Sequence, residues 1–163
     1  MIPYIDRTRS YYSLLGYAPY RWAQFDDTPF TPLGKSLSAS TLALITTAAP
    51  VREDAGDQGP GAAYNAAAKF FKVYTAPVSP LPDLRISHLG YDRNQSRAED
   101  AETWLPLKAL SRAVTEGLIG RIADAVIGVP TNRSQRVTMD QDAPDTLARC
   151  RDLRADIALL VPT

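Results

Sequence analysis

Leu42-Ala43-Leu44-Ile45-Thr46 (LALIT) is an unbroken apolar run with a β-branched end. It lacks the apolar–polar alternation of a strand with one wet face, so as a strand it needs cover on both faces. Parallel sheets flanked by helices provide that cover. Outward from this run the same grammar repeats. Leu84–Leu89 (LRISHL) is a second strand, set between the proline-rich VSPLP and Gly90. Leu107, Leu110, Val114 and Leu118 recur at helical spacing, with Pro106 near the start and Gly117 as a stop. Ala125–Val129 (AVIGV) is a third strand. A helix follows, with Asp142 and Pro144 as start signals and Ala143, Leu147, Cys150 and Leu153 on one face. The last strand is IALLV, within DIALLVPT at the end of the sequence.

Strand–helix–strand repetition with buried strands predicts an α/β fold: a three-layer sandwich around a mostly parallel sheet of about four strands. The 163 residues form one domain by this reading, with residues 1–40 as an arm and 41–163 as sheet and helices. Tyr4, Tyr11, Tyr12, Tyr17, Tyr20, Trp22, Phe25 and Phe30 keep no sustained period. Ser10–Leu15 is a short helix ended by Gly16, and the rest is an irregular aromatic-rich arm. Its rings are expected to cover either the parent sheet or a neighbouring subunit. Val51–Pro82 is a long connection with a Gly/Asp-rich front and one or two helical turns in AYNAAAKFF.

Lys+Arg and Asp+Glu are 18 each, so no overall field recruits nucleic acid or an anionic membrane. No run approaches the ~18 apolar residues of a membrane span. The charged start MIPYIDRTRSYY lacks a signal-peptide core, and the expected location is cytoplasmic. One cysteine, Cys150, and one histidine, His88, exclude an internal disulfide, a Cys-based zinc site and a His-rich metal site within this chain. Cys150, on the apolar face of its helix, is expected to be buried and unreactive.

In open α/β sheets ligands sit beyond the carboxyl ends of the strands. After the first strand come Thr46 and Thr47, whose hydroxyls and backbone can meet an anion or close their own turn. After the second come His88, Asp92 and Arg93. A carboxylate beside a histidine fixes its tautomer for acid–base work near neutral pH, while a structural histidine is the alternative. After the third come Asn132, Arg133, Ser134 and Arg136. Their donors suit a carboxylate or phosphate, and the acidic run Asp140–Asp142 is the competing partner. No phosphate-binding glycine loop, GxSxG, CxxC or HExxH is present.

Several stretches together carry a resemblance: YIDRTRSYYSLLGYAPYRW, TPFTPLGKSLSASTLALITTAAP, GDQGPGAAYNAAAKFFKVY, LRISHLGYDR, WLPLKALSRAVTEGLIG, GVPTNRSQR and RADIALLVP. In this order they resemble the selenoprotein-B subunits of glycine/sarcosine/betaine reductase and D-proline reductase, and in particular their bacterial glycine-reductase-like homologues. The resemblance implies a cytoplasmic oxidoreductase subunit that reductively cleaves a C–N bond of glycine, a methylated glycine or proline with electrons from thiols. It implies a selenocysteine or cysteine after the LLVP segment, beside a proline and a second cysteine. The sequence here stops at Thr163, so this chain is expected to hold no redox cofactor and to be inactive alone. A cut chain, a natural noncatalytic relative and a UGA selenocysteine codon read as a stop all fit that ending. The implied ligand is a small carboxylate-bearing amine held by Thr46, Thr47, Asn132, Arg133 and Arg136, with His88 and Asp92 moving protons. Partner reductase subunits and homo-oligomers are expected. The competing expectation is a noncatalytic small-molecule-binding module that oligomerises through its N-terminal arm.

Overall fold

The computed structural model describes all residues except 1, 2, 20, 60, 63, 64, 87, 89, 90, 92, 93, 95–97, 132 and 163. Its strands are β1 (Thr41–Thr46), β2 (Ala49–Pro50), β3 (Tyr74–Pro77), β4 (Leu84–Arg85), β5 (Arg121–Ile122), β6 (Ala125–Gly128) and β7 (Ile157–Val161). The LALIT run is β1, buried at all six positions because it has a neighbour on each edge and a helix layer over each face. β7 lies parallel along one edge, from Leu42 opposite Ile157 to Thr46 opposite Val161. β5 and then β6 lie parallel along the other, with Leu42 opposite Ile122 and Thr46 opposite Gly128. The break between them keeps contact with β1, since Ala123 N–H donates to the Leu42 carbonyl at 2.8 Å. β3 closes the outer edge of β6 in antiparallel sense. The order across the sheet is therefore β3, β5/β6, β1, β7.

The helices are α1 (Pro3–Leu14), α2 (Leu107–Thr115), α3 (Gln135–Val137) and α4 (Ala143–Asp152). Strand alternation divides β1 between two cores. Leu42 and Leu44 share a cluster with Val126, Trp104, Leu105 and α2 residues Leu107 and Leu110. Ile45 joins Ile127 and Val73, against which Cys150 and Leu153 pack from the α4 side. The layers are thus helix, mostly parallel sheet, helix: an α/β fold. Each such leucine or isoleucine removed from water contributes about 1.5–3 kcal/mol. α2 ends as its sequence predicts. Gly117 adopts φ +72°, and Leu118 N–H reaches back to the Ala113 carbonyl at 2.9 Å.

Several expectations need correction, among them the core face of the last helix and the burial of the last strand: Ala143 is exposed, as are residues 158–160 of β7. Only Leu84–Arg85 of LRISHL is a strand, and it pairs with β2 in a separate two-stranded sheet. The position beside β6 belongs instead to Tyr74–Pro77, inside the stretch read as a connection. The last helical path begins earlier than Asp142. Ser134 caps it by accepting the Val137 N–H at 3.2 Å, and the chain runs through α3 and a π-helical turn, Thr138–Asp142, into α4. Leu147 is half exposed rather than in the core, which α4 enters through Cys150 and Leu153.

The chain divides into two compact units, residues 1–31 and 32–163. In the first, α1 starts at Pro3, well before Ser10, and ends before Gly16 at φ +77°. Tyr12 and Tyr17 pack with ring centroids 6.0 Å apart.

Two side chains hold the sheet at opposite ends. At the start of β1 the Asp156 carboxylate accepts from Lys35 Nζ at 2.7 Å and from Thr41 N–H at 2.8 Å. Near the end of β6, Tyr74 lies over Gly128 and its hydroxyl donates to the Ala48 carbonyl at 2.7 Å. A Cβ on Gly128 would fall inside the Tyr74 ring. Gly128→Ala is therefore expected to destabilise the protein by about 1–3 kcal/mol through overpacking, read as a lower denaturation midpoint in urea. Wild-type stability would refute this account of the Tyr74–Gly128 pair. The Lys35 bond, then the Thr41 N–H, hold the Asp156 carboxyl below the usual carboxylate range. A lowered folded pKa stabilises above the unfolded value, near 4, and that contribution disappears as pH falls through the folded value. Asp156→Asn should flatten the acid limb of the stability–pH curve below about pH 4. Unfolding midpoints with an unchanged acid slope would contradict it.

Candidate functional site

The register of β1 puts three strand ends level: Thr46 stands opposite Val161 on one side and Gly128 on the other. Three chain segments leave the sheet together there, starting at Thr47, Val129 and Pro162. Val129 N–H still bonds the Thr46 carbonyl at 2.9 Å. The chain passes from β1 to β5/β6 on one side, then crosses to β7 on the other. The helices that follow β1 and β6 pack on opposite faces of the sheet, and the space beyond the level carboxyl ends, where open α/β sheets bind ligands, is the candidate site, the β1/β7 crevice.

Of the described site residues from the sequence reading, Thr46 and Thr47 stand at this end of the sheet. β2 begins two residues beyond Thr47 and Arg85 of β4 pairs with Ala49, so the chain after Arg85 runs back in the direction of Ala48. His88, half-buried, lies three residues along that path. Arg133 and Arg136 follow β6. Asp92 and Asn132 lie outside the described residues, so no geometry is assigned to the His88–Asp92 pair.

The local chemistry separates the others. Thr46 is fully buried, and its hydroxyl donates to the Trp104 carbonyl at 2.7 Å while accepting the Ala48 N–H at 3.2 Å. It braces the turn from inside, whereas Thr47 is half-buried. The Arg133 fork is engaged by Asp142, with Nε at 3.2 Å from one carboxylate oxygen and Nη2 at 3.3 Å from the other. The Asp142 side chain is only 3% exposed, so this pair is largely desolvated, and removing one partner would strand a buried charge. Of the two partners open to Arg133 in the sequence, the acidic run is the one it meets here. Arg136 is 82% exposed, with only a loose contact to Asp140 at 3.8 Å, and its guanidinium is available to an incoming anion.

Two contributors escaped the sequence reading: Trp104, whose carbonyl anchors Thr46, and Ser134 as a helix cap. The cap was detectable in principle, as a serine before a helical run. The Trp104 contact depends on tertiary packing. Cys150 is half-buried against Ile45, and burial pushes its thiol pKa up, away from the nucleophilic thiolate. Among the described residues no group of three or more His, Cys, Asp or Glu side chains is placed to hold a metal. No helix among them is long and apolar enough to cross a membrane.

Across 102 residues, 61% of this chain, the sequence is 33% identical to the glycine reductase complex component B subunit gamma of Carboxydothermus hydrogenoformans. That similarity supports a link to the glycine-reductase-related proteins. The chain spans about a fifth of that relative's length, the matched part being 22% of it. No family model matches the chain, and no solved structure does.

Thr46→Val keeps the shape and removes the hydroxyl, leaving a buried carbonyl and N–H without their partner. A loss of about 1–3 kcal/mol is expected, measured by urea unfolding. A variant as stable as wild type would show that the hydroxyl does not brace the turn.

Proposed function

We propose that this chain is a subunit, or a part of one, of an amino-acid reductase of the glycine-reductase type. Its role is to bind a small carboxylate-bearing amine at the β1/β7 crevice. The observation that supports this reading is the level ending of β1, β6 and β7 at one end of a mostly parallel sheet, in a chain similar to a glycine reductase component. Arg136 supplies an exposed guanidinium for the substrate carboxylate, and Arg133, held by Asp142, fixes the loop that carries it. Asn132 is a further donor for that carboxylate, and Thr47 lines the floor, braced by Thr46. His88 donates a proton to the departing amine. The substrate class is glycine, an N-methylated glycine or proline.

Reductive C–N cleavage requires a chalcogenolate nucleophile and a second thiol to resolve the adduct. Cys150 suits neither role, because it packs against the sheet and burial favours its protonated form. The redox selenocysteine or cysteine is therefore assigned to polypeptide other than these 163 residues, either further sequence or a partner reductase subunit. The same packing of Cys150 favours one second reading: a noncatalytic binding subunit that delivers substrate to a partner.

Titration of the ¹⁵N-labelled chain with glycine, sarcosine, betaine and D-proline tests the proposal. At least one should shift the Thr47, His88 and Arg136 resonances saturably, and Arg136→Gln should weaken that binding. The chain alone should release no amine from any of them in the presence of dithiothreitol. Thiol-dependent turnover by the isolated chain would overturn the assignment of the redox residue. Absence of saturable shifts at the crevice would overturn the binding role.

A further inference from the structure

A second concavity lies along α2 and is built from none of the segments that follow β1, β6 and β7. It is an open groove of about 560 Å³. Val78 and Leu81, on the chain leaving β3, line it together with Ile122 of β5 and Leu107 of α2. Leu107 is 7% exposed and belongs to the main core, whereas Leu81 is 59% exposed and leaves apolar lining in contact with water. Lys108 and Ser111, one turn apart on α2, form the polar rim.

Lys108 is the charged residue among those that line this groove. Lys108 and Arg112 follow each other at helical spacing on the solvent side of α2. Two acidic groups close to α2 and β5 are engaged elsewhere. The Glu102 carboxylate accepts the Lys108 and Ala109 backbone N–H groups at 3.1 and 3.2 Å, and Asp124 pairs with Arg121 at 3.2 Å. Among the described residues neither the Lys108 nor the Arg112 side chain has a carboxylate within ion-pair distance. The helix start is thus already capped, and what remains is an apolar trough with a cation and a hydroxyl on its lip. Its volume is within the range of small-molecule sites, which pair an apolar lining with a few placed polar groups.

We propose that this groove binds an amphiphilic organic anion, with an aliphatic body laid on Val78, Leu81, Leu107 and Ile122 and its head group held by Lys108 and Ser111. The pairing is one of apolar area with charge complementarity. A neutral analogue should lose the head-group contact, and a cationic one should be repelled.

Octanoate is the probe, with octanol and octylamine as neutral and cationic controls, followed by ¹⁵N chemical shifts of the full chain. Octanoate should shift the Leu81, Lys108, Ser111 and Ile122 resonances saturably, ahead of both controls. Lys108→Gln should weaken it about tenfold, the equivalent of one charge-assisted contact. Leu81→Asp should abolish the shifts. Both positions are exposed, and unchanged circular dichroism and melting temperature confirm that the variants fold. Octylamine binding as tightly as octanoate, octanoate shifts confined to the β1/β7 crevice, or no saturable shift would each overturn the proposal. Glycine binding at the crevice has its own resonances, so either proposal can fail while the other stands.

Discussion

Everything in the larger unit depends on β1 having a partner on both edges. A strand with six buried residues can satisfy its backbone only through neighbouring strands, since water does not reach it. β7 bonds it along its whole length, and β5 and β6 share the other edge. The two-sided ladder sets the register of both, and the register brings three strand ends to one level. The common exit of the loops follows from this constraint, because they emerge together only if the strands stop together.

The loop after β6 shows how a binding surface and a fold compete for the same side chains. Arg133 is the residue whose chemistry most suits an anion, yet its fork closes on Asp142, deep in a π-helical turn. A buried carboxylate without its guanidinium would be costly, so this pair stays made. The consequence is a division of labour: Arg133 fixes the loop and biases its field, and the exposed Arg136 is the group free to change partners. Thr46 and Thr47 divide in the same way, one hydroxyl bracing the turn from inside and the next residue facing outward.

The central strand was legible in the sequence because burial on two faces leaves a visible mark in LALIT, and Leu107, Leu110 and Gly117 outlined α2 from its spacing and its stop. IALLV has the same apolar composition and does join the sheet, yet its middle residues are exposed, Leu160 at 65%. β3 left no such mark. Tyr74–Pro77 is short, ends in proline and alternates between half-buried and exposed, so its membership of the sheet rests on Gly128, fifty-four residues away. LRISHL erred in the opposite direction: its composition suits a strand, but only Leu84–Arg85 finds a partner. At the site, the sequence left the Arg133 loop open between an anion and the acidic run Asp140–Asp142, and the fold closes it on Asp142. The inward turn of Thr46 was not readable, because it depends on Trp104, far away in the chain.

The position of β1 also has a temporal side. Thr41 bonds to Asp156, 115 residues later in the chain. The most buried strand is synthesised first among its neighbours, and its β7 edge is the last to be closed. Until residues 157–161 are made, LALIT has an open edge and incompletely covered faces, the condition in which nascent chains associate wrongly. The same centrality that aligns the strand ends in the finished protein makes β1 the segment with the longest wait on the ribosome.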